Sequence, residues 1–308
     1  MDELRHLVHA PLLTWIPQVT LLFLLGYQPW RNVRNDGTLA DLAGVICNLL
    51  IVTGLFVSPL ATEPLFWLAL TATYVTWIGL AYFVADNHHY LIGYWCVSMA
   101  IALTADGARG EALLARDAGL LTGLCFLFAA ASKLSSRRYR DGSFFTQTLI
   151  SDPRFLLIAT YVAGVTDEER RHHAQAWNRV TSAVSAREEA FVPVRLRKTA
   201  LALTWWTVGT EAIVALMFLI PIEAVVKFRV ATLIVFVVTT FTFVRVPAFG
   251  QILLIMLLVI AGSEPIRVPL ILFAASLTVI SYLPSLTNRV IRYKQFLTRL
   301  SLVNQRAA

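Results

Sequence analysis

A helical membrane bundle is the fold class the sequence predicts: all-α and polytopic, with about nine transmembrane spans and a polar helical insert between the fifth and the sixth. Three observations predict it. Hydrophobic residues fill 57% of the 308 positions and charged residues only 15%, beyond what a soluble globular domain carries. The apolar residues collect in runs near the roughly 17 to 25 residues that cross a bilayer. The net charge of +7 comes from Arg and Lys clustered in loops beside those runs, the pattern of chain held against an anionic leaflet. That placement sets nucleic acid aside and makes the lipid bilayer the first expected partner.

The first run, Pro11 to Tyr27, contains Pro17 and Gln18 with no small-residue cleavage pattern after it, so it is expected as a retained span rather than a removed signal peptide. Further runs follow at Leu42 to Val57, Leu65 to Val84, Asn87 to Leu103 and Ala118 to Leu134. After the insert come Thr199 to Ile220, Phe228 to Val244, Pro247 to Ala261 and Val268 to Leu283. Phe155 to Val165 is apolar but too short to cross, and is expected as an interfacial or re-entrant piece. From Thr166 to Lys198 the chain turns polar and helix-prone, as a soluble or surface-lying helix does. Cys47, Cys96 and Cys125 each stand alone in an apolar run, so local spacing draws neither a redox pair nor a metal site.

Alternate assignment of the loops puts Arg31, Arg34, Arg137, Arg138, Arg140, the insert, Arg245 and the basic tail on one side. That side is expected to be cytoplasmic, with the N-terminus outside, in a multi-pass protein of a bacterial cytoplasmic membrane. The same count brings His88, at the start of span four, and Lys133, at the end of span five, to one membrane face. Span four reaches across ~30 Å of hydrocarbon only if the His88-His89 turn sits at or below the interface.

Polar groups at membrane depth are costly, and they carry the functional reading. Asp86-Asn87-His88-His89-Tyr90 places amide, carboxylate and imidazole groups between two spans. Lys133 follows Ala129, Ala130 and Ala131, where small residues admit a neighbouring helix or a flat ligand. Glu211 stands deep in span six and is the candidate partner for a cation. Each residue also has a plainer reading. Lys133 snorkels to the headgroups, His88 and His89 are interfacial turn residues, and Glu211 bridges two helices. Arg245 before Pro247 marks a tight turn, or holds an acidic substrate or a quinone oxygen. Trp205-Trp206 is a packing pair or an interfacial belt.

Asn87-His88-His89-Tyr90-Leu91-Ile92-Gly93 resembles the Asn-His-x-Tyr-Leu-x-Gly element of the vitamin-K-dependent gamma-carboxylase membrane domain, also called the horizontally transferred transmembrane (HTTM) domain. Ala130-Ala131-Ser132-Lys133-Leu134 with Tyr139-Arg140-Asp141-Gly142 is similar to its Lys-Leu and aromatic-x-x-Gly element, one residue longer in spacing. Glu211 is similar to an acidic residue in the corresponding segment. The resemblance runs from about Leu65 to Leu283 and implies an HTTM-like domain over 1–290, with 135–198 extramembrane or interfacial and a basic tail at 291–308.

For function, the resemblance implies a lyase-type membrane enzyme that couples hydroquinone oxygenation to proton abstraction and carboxylation of a carbon acid, a peptide or small molecule. Its cofactors are then a reduced quinone, vitamin K hydroquinone or menaquinol, with dioxygen and carbon dioxide as co-substrates and no metal. Lys133 is implied as the base, His88 as charge stabiliser or relay, and Asn87 as its orienting group. His89, Tyr90, Tyr139, Glu211 and Arg245 are implied around the ligand. A lysine acts as a base near neutral pH when burial disfavours its ammonium, whereas a nearby carboxylate favours it, so the two effects oppose each other.

Two departures stand out. Thr242 and Arg245 occupy the places of the family's late His-x-x-Asn element. The sequence also closes soon after the last run, without the soluble domain of the animal enzymes, so a substrate is expected to be held by the membrane domain or by a separate protein. The alternative is a non-catalytic module that binds quinone or lipid, or anchors a soluble partner through the insert at 166–198.

Overall fold

In a computed structural model the described residues are 11–26, 39–82, 87–152, 155, 158–166, 168–169, 193–243, 247–261 and 271. Every regular element among them is helical. They are α1 (Leu12–Gly26), α2 (Leu39–Phe56), α3 (Ser58–Ala61), α4 (Pro64–Leu80), α5 (Asn87–Leu103), α6 (Gly107–Ser135), α7 (Arg137–Arg140), α8 (Ser143–Ser151), a π-turn (Ile158–Val162), α9 (Val194–Leu219), α10 (Glu223–Val226), α11 (Arg229–Phe243) and α12 (Pro247–Ile260). The last expected span, the basic tail and most of the insert lie outside the described residues, as does Arg245.

Three helices, α2, α6 and α9, are apolar and long enough to span a membrane. They mark a membrane protein. Shorter apolar helices, α1, α4, α11 and α12, pack around them.

Helix boundaries follow local chemistry. Pro59 and Pro64 start α3 and α4 at positions where a missing N–H costs nothing. The helix read from Ala118 extends back to Gly107, because the stretch with Arg109, Glu111, Arg116 and Asp117 forms polar helical turns rather than a loop. The last residues of the expected polar insert are helical. Pro193 precedes α9, so Val194 to Lys198 form the first turns of that helix.

The α6–α9 pair is the backbone of the architecture. A β-carbon on Gly123 would stand 2.7 Å from Leu219, while Lys133 meets Glu211, so the two helices run antiparallel with their small and polar positions in register. The α4–α5 hairpin packs beside them, and α2 covers α4. Every residue from Gln251 to Val259 of α12 is buried, so this helix is surrounded on all sides, packed on α6, α1, α11 and α5. Trp67, Tyr74, Trp77, Trp95 and Phe126 fill the largest fully buried positions.

Several polar groups inside the bundle are satisfied locally, which an apolar solvent favours. Thr122 and Thr204 donate to the carbonyls of Ala118 and Ala200, one turn back, at 2.8 and 3.0 Å. Trp67 Nε1 donates to Ala61 O at 2.8 Å, and Trp95 Nε1 to Thr20 Oγ1 at 3.3 Å. The carboxylate of Glu111 accepts the Leu12 amide at 2.5 Å, closing one of the orphan donors at the start of α1. At the far end of α9, Arg229 donates to the carbonyls of Met217 and Ile220 at 2.8 and 3.1 Å.

A second, smaller core forms where the chain leaves α6. Phe145 and Leu149 of α8, Phe155, and Ile158, Ala159, Ala163 and Val165 around the π-turn close over Leu196 and Ala200 of α9. The described buried residues of the short apolar piece, Phe155, Ile158, Ala159, Ala163 and Val165, thus fold against a membrane helix.

Candidate functional site

Lys133 sits in the last turn of α6, and Glu211 lies about 8 Å along α9 from the exposed Trp205–Trp206 pair. The antiparallel register brings them together. Lys133 Nζ forms an ion pair and hydrogen bond with Glu211 Oε1, with only 18% and 12% of the two side chains exposed. Glu211 Oε2 is buried and has no hydrogen-bond partner among the described residues. One carboxylate oxygen is therefore engaged and the other is left as an uncommitted acceptor. Cys125, half-buried on α6, lies within electrostatic reach of both charges.

The roof of this pair comes from α7 and α8. Lys133 Nζ stands 5.9 Å from the centre of the Tyr139 ring, within cation–π range. Tyr139 stacks on Phe144 with ring centres 4.1 Å apart and planes at 24°, and Phe145 meets both rings edge-on. Burial, then the nearby Glu211 charge, raises the Tyr139 phenol above its ordinary value, partly offset by Arg138.

A tight turn sets this roof in place. Gly142 has φ of +78°, in the left-handed region, and packs with its α-carbon against Leu201 of α9. Asp141 Oδ1 accepts the Ser143 amide at 2.9 Å at the start of α8. That hydrogen bond is the main reason the Asp141 carboxyl lies below the ordinary aspartate range, with Arg137 and Arg138 adding to it.

The histidines make a second group. His89 is buried, stacks on His88 at 4.5 Å, and lies 5.0 Å from the Trp77 ring of α4. Trp77 Nε1 is buried without a hydrogen-bond partner among the described residues. Tyr90, partly buried, packs against the main core, and Asn87 is the first residue of α5. Both groups lie towards the same end of the α5–α6 hairpin. With 29 residues against 17, however, α6 outruns α5. Counted from the Ala102–Gly110 contact at the turn, straight helices put Lys133 roughly 13 Å beyond the level of His88.

The structure thus joins Lys133, Glu211 and Tyr139 in one cluster, and His88 and His89 in another. Phe144 and Trp77, which the sequence reading did not single out, support the two. The Phe144–Phe145 doublet just after Gly142 was the available signal for the first, and nothing local announces the second. No protein-family model, curated protein or solved structure matches the chain.

Proposed function

We propose that the chain is a multi-pass membrane enzyme of the gamma-carboxylase (HTTM) type, with about nine spans, acting on a reduced quinone at the Lys133–Glu211 pair. The observation that carries this reading is Glu211 Oε2, a buried carboxylate oxygen without a partner among the described residues, beside an ion-paired lysine and beneath an aromatic roof. Such an oxygen is stabilised by a donor that a ligand brings.

A reduced quinone held here would have a hydroxyl at Glu211 Oε2, where Glu211 would accept its proton and the Lys133 ammonium would balance the negative charge. The pair as a unit is then the base, with Glu211 taking the proton and Lys133 stabilising the charge that develops. Tyr139 and Phe144 present flat faces to a flat ring, and Tyr139 stays a neutral phenol at physiological pH. A reduced quinone held there supplies, with dioxygen, the oxidising chemistry that the resemblance implies, and carbon dioxide is the implied co-substrate of the carbon acid. Asn87, His88 and His89 are assigned to charge stabilisation and relay from the neighbouring cluster.

The ion pair itself favours a second reading. Two opposite charges between α6 and α9 also serve as an interhelical latch, in a non-catalytic module that binds quinone or lipid or anchors a soluble partner through 166–198. Oxygen uptake and quinone-epoxide formation by purified protein given menaquinol separate the two. Epoxide that disappears in Lys133→Ala and Glu211→Gln, with both variants folded, supports the enzyme. Folded wild type that forms none with ample quinol rejects it in favour of the latch.

A further inference from the structure

The cations beyond the Lys133–Glu211 pair are drawn together from two distant stretches of chain. Arg137, Arg138 and Arg140 of α7 are exposed, and so are Arg195, Arg197 and Lys198 in the first turns of α9. Gly142 joins the two stretches, since a β-carbon there would stand 3.1 Å from the Leu201 side chain and 3.3 Å from the Leu201 amide nitrogen. Arg140 is two residues from that contact. Arg197 is one helical turn from it, because positions four apart share a face. Arg195 is tied down separately, its Nε donating to Val162 O at 3.0 Å, and Arg138 Nη2 donates to Gln147 Oε1 at 2.5 Å.

The acids among the described residues of this region are fewer. Asp141 is engaged by Ser143, and Glu169 accepts the amide and hydroxyl of Thr166 at 2.8 and 2.9 Å. Asp152 and Glu168 complete them. The surface is left net positive.

Below the cations the same face becomes apolar. Arg197, Leu201 and Trp205 follow one another at four-residue steps, and Trp205 is 53% exposed. A cationic head above an exposed indole on one helical stripe matches an amphiphile lying along the protein, its phosphate at the arginines and its chain on the tryptophan.

We propose that α7 and the first turns of α9 form a binding site for an anionic glycerophospholipid, whose phosphate is held between Arg140 and Arg197. Arg137 and Lys198 supply the field that selects the anionic headgroup over a zwitterionic one. The site needs the membrane setting of α9 but not the quinol reading, so the two stand or fall separately.

The test uses the full chain in nanodiscs, with spin-labelled phosphatidylglycerol or phosphatidylcholine as the probe. Wild type is expected to immobilise phosphatidylglycerol preferentially. Arg140→Gln and Arg197→Gln are each expected to lower that preference about fivefold. Arg140→Lys with Arg197→Lys retains most of it, and Arg109→Gln with Arg116→Gln, near the opposite end of α6, retains all of it. Should the glutamine variants lose helical circular dichroism, the outer pair Arg137→Gln with Lys198→Gln is read instead, with a partial loss expected. Equal retention of the two lipids by wild type, or an unchanged preference in the folded glutamine variants, overturns the proposal. So does removal of the preference by millimolar inorganic phosphate, which makes the site one for a free anion. Binding of soluble polyglutamate through the same arginines without lipid selectivity overturns it in favour of an acidic protein partner.

Discussion

Gly123 of α6 lies so close to α9 that a β-carbon on it would stand 2.7 Å from the Leu219 side chain and 3.2 Å from Phe218 Cβ. This close approach sets the spacing of the helix pair that carries Lys133 and Glu211. Gly123→Ala is expected to destabilise the protein by about 1–3 kcal/mol through overpacking, despite the better helix propensity of alanine. Leu219→Ala in the same chain should return much of that loss by vacating the contact. Unfolding in detergent, followed by circular dichroism, measures both, and a double variant no more stable than Gly123→Ala would contradict the close-approach account.

The glycines at two other places on α6 predict opposite signs. A β-carbon on Gly110 would meet the carbonyl oxygens of Ala102 and Ala105 at 2.5 and 2.9 Å, and backbone cannot swing aside. A β-carbon on Gly119 would have nothing within 4 Å among the described residues. Gly119→Ala is therefore expected to stabilise the helix by up to about 1 kcal/mol, and Gly110→Ala to destabilise it by about 1–3 kcal/mol. Melting temperatures of the two variants against wild type decide the matter.

Charge pairing at Lys133–Glu211 makes a prediction about additivity. Removing one partner strands the other, so Lys133→Met or Glu211→Gln alone should cost about 3 kcal/mol, and the double substitution less than the sum. Equilibrium unfolding of the four members of this cycle gives the coupling. Strictly additive losses would mean that the two side chains do not depend on each other.

Acid should loosen the α7–α8 turn before the bundle. The Asp141 carboxyl lies below the ordinary aspartate range because it accepts the Ser143 amide. Its contribution is therefore present above that range, near pH 4, and is lost as pH falls through the lowered folded value. Because Asp141 is exposed, the loss is small, below about 1 kcal/mol. Asp141→Ala should abolish this acid dependence, which hydrogen exchange of the α8 amides between pH 5 and about 3 follows.

Tyr139 gives the alkaline counterpart. Its phenol is held above the ordinary value, near 10, by burial and by Glu211. The neutral phenol is the form the fold tolerates, so its environment is undisturbed below that ordinary value and is strained as pH rises towards the raised one. Ultraviolet titration of wild type minus Tyr139→Phe should show one tyrosine ionising late. A difference spectrum that titrates with exposed tyrosines would contradict the burial of this ring.

How much of this was legible in the sequence differs from element to element. The bounds Asn87 to Leu103 of α5 could be read directly, because a polar turn and a run of apolar residues mark both ends. The start of α9 could not, since Pro193 opens the helix before the hydropathy rises. Lys133 and Glu211 were visible as opposite charges in apolar runs, and the structure shows that they meet. The stacking of Tyr139 on Phe144 depends on the left-handed Gly142 turn and on Leu201, far away in the chain. The contact of His89 with Trp77 depends on how α4 packs on α5, which residue spacing does not encode.

The clasp of Arg229 on the last carbonyls of α9 acts at a distance. A guanidinium that binds Met217 O and Ile220 O fastens the end of that helix to the start of α11, and a fastened rod neither slides nor spins. The depth at which Glu211 meets Lys133 is thus fixed from the opposite end of α9, about 9 Å away along its axis, so the alignment of the charged pair is tuned by a residue that never touches it.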